Sequence, residues 1–169
     1  MQKAIQDALN EQINREFYAS YLYLAMAAHF EAQSLDGFAG WMYAQSEEEY
    51  GHAMRILKYM LERGAQVELK AIAAPPEEFG SPLDIFKQAL AHEQHVTQAI
   101  HALYKLAAEH EDYPTMKHLD WFIEEQVEEE DTVGRIVDRL QMAGDDRAAL
   151  LMLDSELAQR SGEEESDEA

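Results

Sequence analysis

The chain has no cysteine among its 169 residues. Disulfides, thiolate zinc sites, iron–sulfur clusters and a rubredoxin-type module are therefore excluded. Positive charge is also scarce. There are 13 Lys and Arg against 34 Asp and Glu, a net charge of −21. A surface of that sign does not neutralise phosphates, so nucleic acid is not an expected partner. It suits solubility and the attraction of cations. No apolar run is long enough to span a bilayer, and Met1-Gln2-Lys3-Ala4-Ile5-Gln6-Asp7 lacks the apolar stretch of a secretion signal. A cytoplasmic protein without membrane contact is the expectation. A length of 169 residues suits one domain with a substantial core. Five of the negative charges fall in the last nine residues, so 161–169 reads as an acidic, disordered tail on a domain of residues 1–160.

What is present is a pattern stated twice. Glu16 precedes Glu49 by 33 residues and His52 by 36; Glu93 precedes Gln126 by 33 and Glu129 by 36. Each half therefore reads Glu, then a polar pair at i, i+3, and such a pair shares one face of a helix. Two helices giving one Glu each, and two giving a Glu-x-x-His-like pair, supply the ligands of a carboxylate-bridged dimetal centre in a four-helix bundle.

Helical periodicity supports that placement. Ile5, Leu9, Ile13, Ser20, Tyr23 and Ala27 form a stripe over residues 3–32, with Glu16 on it. Phe38, Trp41, Gln45, Ile56 and Tyr59 do so over 36–63, interrupted by Glu49 and His52. Over 82–110 the stripe is Phe86, Ala89, Leu90, Val96, Ile100 and Leu103, interrupted by Glu93. Over 115–143 it is Leu119, Ile123, Val133, Ile136 and Leu140, interrupted by Gln126 and Glu129. Each polar candidate thus lies on an inward face near mid-helix, where unpaired Asp and Glu are rare.

The connections set the topology. Short turns at 34–37 and 111–114 make antiparallel pairs of helices one and two, and of three and four. About 18 residues, Gly64 to Ser81, separate the pairs. Extended, they reach roughly 60 Å, enough to return along a helix roughly 40 Å long. Ser81-Pro82-Leu83-Asp84 then opens helix three with an N-cap, a proline at N1 and an acid at N3. The expectation is an all-α, up-down-down-up four-helix bundle. Gly144 closes helix four. Asp145 or Asp146 caps a short fifth helix, from Arg147 to about Gln159, whose Leu150, Leu151, Leu153 and Leu157 need a partner.

Four carboxylates facing one axis repel by roughly 4 kcal/mol per pair at about 4 Å and an effective dielectric near 20. A domain holds only about 5–15 kcal/mol of net stability. Such a cluster must be protonated, wet or metallated. Two divalent cations balance Glu16, Glu49, Glu93 and Glu129. Oxygen ligands with one imidazole suit iron or manganese better than structural zinc. His29, His92, His95, His101, His110 and His118 read as surface or packing residues.

The chain resembles a bacterial non-haem ferritin over residues 1–160. The matching segments are Asn14-Arg15-Glu16-Phe17-Tyr18-Ala19-Ser20-Tyr21, Glu47-Glu48-Glu49-Tyr50-Gly51-His52-Ala53, His92-Glu93-Gln94, Glu124-Glu125-Gln126-Val127-Glu128-Glu129-Glu130 and Asp154-Ser155-Glu156-Leu157. The resemblance implies two irons per subunit. Glu16 and His52 hold the first, Glu49 bridges, and Glu93 and Glu129 hold the second. Gln126 touches the second site or orients its bound oxygen species. Glu48, Glu125 and Glu128 resemble an extra, third iron site. A matching Tyr and Trp, here Tyr23 and Trp121, can supply electrons to oxygen. The implied activity is Fe(II) oxidation by O2 or H2O2, with Fe(III) mineral stored in a homo-oligomeric shell of 24 subunits. Two positions depart from the haem-binding relatives. Tyr50 stands where a bacterioferritin has its haem-ligating Met, and Glu129 where it has His, so no haem is expected. A non-storage di-iron enzyme of peroxidase or oxidase type, and a passive metal-binding shell subunit, remain alternatives.

Overall fold

The computed structural model describes the backbone of residues 1–167 and the side chains of residues 1–159. It contains five helices and, among the described residues, no strand. They are α1 Lys3–Glu31, α2 Asp36–Glu62, α3 Pro82–Glu109, α4 Tyr113–Ala143 and α5 Arg147–Asp167. The all-α architecture is as expected. Helix α4 begins two residues before the expected 115. Asp112 caps it, with Oδ1 accepting from the Thr115 N–H at 3.2 Å, and Pro114 falls in the first turn, where no N–H is required. Helix α5 extends past its expected end near Gln159, and the tail expected at 161–169 lies outside the residues described with side chains.

The first three helices end alike. Leu35, Ala65 and Asp112 donate their N–H groups to the carbonyls of Phe30, Met60 and Ala107, five residues back. The intervening Ser34, Gly64 and Glu111 have positive φ. This left-handed closure satisfies carbonyls that a helix end leaves open. Helix α3 opens with the expected reciprocal cap between Ser81 and Asp84.

The crossover 64–81 lies along α1 and advances in the same direction as it. Gln66 N–H donates to Gln6 Oε1 at 3.2 Å; Asn10 donates to the Gln66 carbonyl at 3.1 Å and accepts from Glu68 N–H at 2.9 Å; Asn14 reaches the Ala71 carbonyl at 3.2 Å. Buried Asn10 is thereby satisfied on both sides. The chain arrives beside the far end of α1, where the Phe79 and His29 rings meet at 5.5 Å. Helix α3 therefore starts there and runs antiparallel to α1, completing the up-down-down-up order.

The core is divided. One apolar cluster gathers Met26, Phe30, Phe38, Trp41, Phe86 and Val137 among others; a second gathers Ile5, Leu9, Ile56, Ile100, Leu119 and Phe122. On each long helix the polar candidates lie between the two: Glu16 between Ile13 and Leu22, Glu49 between Met42 and Ile56, Glu93 between Ala89 and Val96, Gln126 and Glu129 between Phe122 and Val133. A polar layer crosses the bundle between two hydrophobic halves.

Helix α5 docks on α2. Leu153 and Leu157 are buried in the first cluster, and Leu150 packs against it. Leu151 departs from expectation. It is 59% exposed, because it sits about 100° around the helix from the 150/153/157 stripe. Asp154 Oδ1 accepts from the Phe38 N–H at 2.9 Å, supplying the cap that Leu35, at the N-cap of α2, cannot. The approach requires Gly37: a Cβ there would sit 1.7 Å from the Asp154 carbonyl oxygen. Gly37→Ala should therefore displace α5 and destabilise the fold by about 1–3 kcal/mol in urea melts.

Candidate metal centre

Glu16, Glu49, His52, Glu93, Gln126 and Glu129 are all at most 5% exposed. Ligand atoms of Glu16, Glu49 and His52 lie within 4.8 Å of one another. A second group, Glu48, His52, Glu125 and Glu129, meets the same measure, so His52 is common to both. Glu93 lies in neither group. It completes the layer from α3 through hydrogen bonds and through its charge, which acts on Glu16, Glu49 and Glu129. Glu128 is not brought in. It is exposed, one residue and about 100° away from inward-facing Glu129, and its charge acts on Glu125.

The side chains are braced. Gln12 Nε2 donates to Glu16 Oε1 at 2.7 Å. Gln45 Nε2 donates to both oxygens of Glu129 at 2.8 Å. The Tyr23 hydroxyl donates to Glu93 Oε1. Gln126 Nε2 donates to Glu93 Oε2 at 3.3 Å. His52 Nδ1 lies 3.3 Å from Glu49 Oε2, with its ring edge-on to Trp121 and Phe122. The Arg55 guanidinium covers the Trp121 ring, 4.0 Å from its centre. Gln12, Gln45 and Thr97 were not assigned roles from sequence. A signal existed for two of them: Gln12 and Gln45 each precede a central Glu by four residues, one turn below it on the same face.

Burial governs the charges. It pushes Glu16 up to about 7, against the Gln12 hydrogen bond, and Glu129 up to about 8, helped by the charges of Glu93 and Glu48. Burial, then the charges of Glu93, Glu16 and Glu129, lifts Glu49 well above the carboxylate range; burial also raises Glu93. His52 moves the other way. Burial, aided by Arg55, lowers it to about 4, so the imidazole is neutral at pH 7 and able to ligate a cation. When Glu16 and Glu49 are both ionised, Glu16 Oε2 is a buried acceptor without a donor. A proton shared by the two carboxyls relieves that, and so does a cation between them. Four carboxylates, one neutral imidazole and this orphaned oxygen are a donor set that fits hard divalent cations.

A crossover bundle with a carboxylate layer at mid-height is the structural class of the ferritin-like carboxylate proteins. Comparison with known proteins agrees. The family model described as a ferritin-like domain matches residues 6–143. A bacterial non-heme ferritin of Staphylococcus haemolyticus is 42% identical over 165 residues, covering 98% of this chain and 99% of that one. Its counterpart in Staphylococcus aureus strain USA300 is 39% identical over the same length. Among solved structures, an open pore ferritin from the hyperthermophilic archaeon Archaeoglobus fulgidus superposes with a TM-score of 0.93 at 44% identity, over 94% of this chain and 97% of that one. The chain belongs to the ferritin family.

Proposed function

We propose that this protein is an iron-storage ferritin with ferroxidase activity. It takes two Fe(II) into each subunit, oxidises them with O2 or H2O2, and stores the Fe(III) as mineral inside a shell of 24 copies, without haem, in the cytoplasm. The observation that carries the reading is the layer of four buried carboxylates and one neutral imidazole between two apolar halves of the core. Glu16 and His52 hold the first iron, Glu49 bridges, and Glu93 and Glu129 hold the second, with Gln126 beside it. Two Fe(II) give two electrons. With two protons these reduce O2 to H2O2, or H2O2 to water. Oxidation adds two positive charges to a site already neutral, so the product favours release toward further anions. In this reading Tyr23, bonded to Glu93, supplies an electron to the reduced oxygen species, with Trp121 beside His52 as a second source.

Mass in solution tests the storage half of this reading. Light scattering combined with aerobic Fe(II) loading should give a large particle holding many irons per subunit. Monomers or dimers across pH and salt, with no mineral, would favour the non-storage enzyme. Exposed Leu151 and Met152 on α5 supply apolar surface for contacts between copies.

The third site is the second test. Glu48 and Glu125 gather with Glu129 and His52 beside the centre, whereas Glu128 stands apart. The triple variant with Glu48, Glu125 and Glu128 changed to Ala should oxidise its first two Fe(II) per subunit at the wild-type rate and differ in later additions. Glu128→Ala alone should be silent. Unchanged later phases in the triple variant would return these acids to ordinary solvated surface.

A further inference from the structure

We propose that Thr97 and Glu130 are positioning residues for the second metal site: they fix which way the Gln126 amide faces and, through it, the carboxylate of Glu93. The inference rests on the two-iron reading above. Neither residue belongs to the ligand groups. Thr97 Oγ1 donates to Glu130 Oε1 at 2.6 Å. Gln126 Nε2 donates to Thr97 Oγ1 at 3.2 Å, to the Glu93 backbone carbonyl at 3.2 Å and to Glu93 Oε2 at 3.3 Å.

The chemistry of these groups gives the chain one direction. A hydroxyl carries a single proton, and a carboxylate only accepts. Once Thr97 commits its proton to Glu130, its oxygen can only accept from Gln126. The amide group facing it must then be the NH2. Turned over, Gln126 Oε1 would face three acceptor oxygens with no proton between them and it. The hydrogen-bond pattern therefore fixes which end of the amide faces Thr97.

The consequence falls on Glu93. Its Oε1 takes the Tyr23 hydroxyl from α1, and its Oε2 takes Gln126 from α4. The carboxylate is gripped at both edges, so its remaining lone pairs have a set direction before a cation arrives. Glu129 is held likewise by Gln45. Partners of this kind orient ligands, and their loss typically lowers metal affinity about 10–100-fold. Thr97 and Glu130 act only on the Glu93 side, so their effect is confined to the second ion.

Anaerobic titration of the full-length apoprotein with Co(II) tests this, with affinity read by calorimetry and coordination by visible absorption. Wild type should show two tight ions per subunit. Thr97→Val keeps the shape and removes the hydroxyl. It should keep the first ion at wild-type affinity, weaken the second by about tenfold or more, and alter the second ion's absorption. Thr97→Ser should restore both. Glu130→Gln can donate back to Thr97 and so releases the direction of its hydroxyl. It should weaken the second ion selectively, but it also removes a charge that acts directly on Glu93, so Thr97→Ala, which takes away the hydroxyl alone, carries the test if Thr97→Val does not fold. A Thr97→Val protein with wild-type affinity and spectrum for the second ion would overturn the proposal, as would Thr97→Ser binding no better than Thr97→Val. Wild-type protein that takes up no pair of ions would overturn the two-metal reading itself.

Discussion

Glu49→Ala is expected to slow the rapid phase of Fe(II) oxidation by about a hundredfold or more, a barrier increase of about 3 kcal/mol. A ligand atom of Glu49 lies within 4.8 Å of those of Glu16 and His52, and Glu49 also feels the charges of Glu93 and Glu129. In the proposed centre it is the residue that touches both ions. Its loss leaves each iron without the bridge that couples the two one-electron oxidations. Stopped-flow absorbance after aerobic mixing of two Fe(II) per subunit reads the effect directly. A trace superimposable on wild type would remove Glu49 from the centre. The apoprotein should respond in the opposite sense to Glu49→Gln. That amide keeps the shape but carries no charge into a layer where burial and three like charges oppose ionisation. At pH 8 and without metal, Glu49→Gln should melt above wild type.

The second large effect is the pH dependence of the apoprotein. Glu16 and Glu129 are raised to about 7 and about 8, against about 4.5 when unfolded. Below about 4.5 both states hold the protons, and stability does not depend on these groups. Between about 4.5 and the folded values only the folded state holds them, so stability falls as pH rises, by about 1.4 kcal/mol per pH unit for each such proton. Above about 8 the loss is complete. His52, His92 and His118, lowered to about 4 by burial, act oppositely but only below their unfolded value of 6.5. From pH 6.5 to 8 the carboxyls are therefore unopposed, and the apo melting temperature should fall across that window. Divalent metal should reverse the slope, since cations replace the protons and bind better as pH rises. A flat apo profile over this window would mean the layer is hydrated rather than buried. Calorimetric scans with and without Zn(II) decide it.

The central residues were legible because each breaks an apolar stripe at a position where a polar side chain is costly, and because the 33- and 36-residue spacings recur. The helices were legible for the same periodic reason. Their ends were less so: the start of α4 depends on Asp112 reaching the Thr115 N–H, a contact no stripe reports. The partners that Gln45 and Thr97 brace were hidden for another reason. Gln45 earns its role from Glu129, 84 residues away, and Thr97 from Gln126 and Glu130 on α4. Periodicity says which face a residue occupies but not what an opposite helix presents to it. Glu128 shows the limit within one helix. A run of acids looks alike in sequence, yet the 100° step turns Glu129 inward and Glu128 to solvent. Leu151 fails to join Leu150, Leu153 and Leu157 by the same rotation.

Anomalous diffraction from crystals soaked anaerobically in Fe(II) bears most directly on the central claim. Two strong iron peaks per subunit are predicted in the polar layer. One should lie within coordination distance of Glu16, Glu49 and His52, the other within that distance of Glu49, Glu93 and Glu129. Iron confined to exposed acids, with the four buried carboxylates left without a metal, would contradict the account.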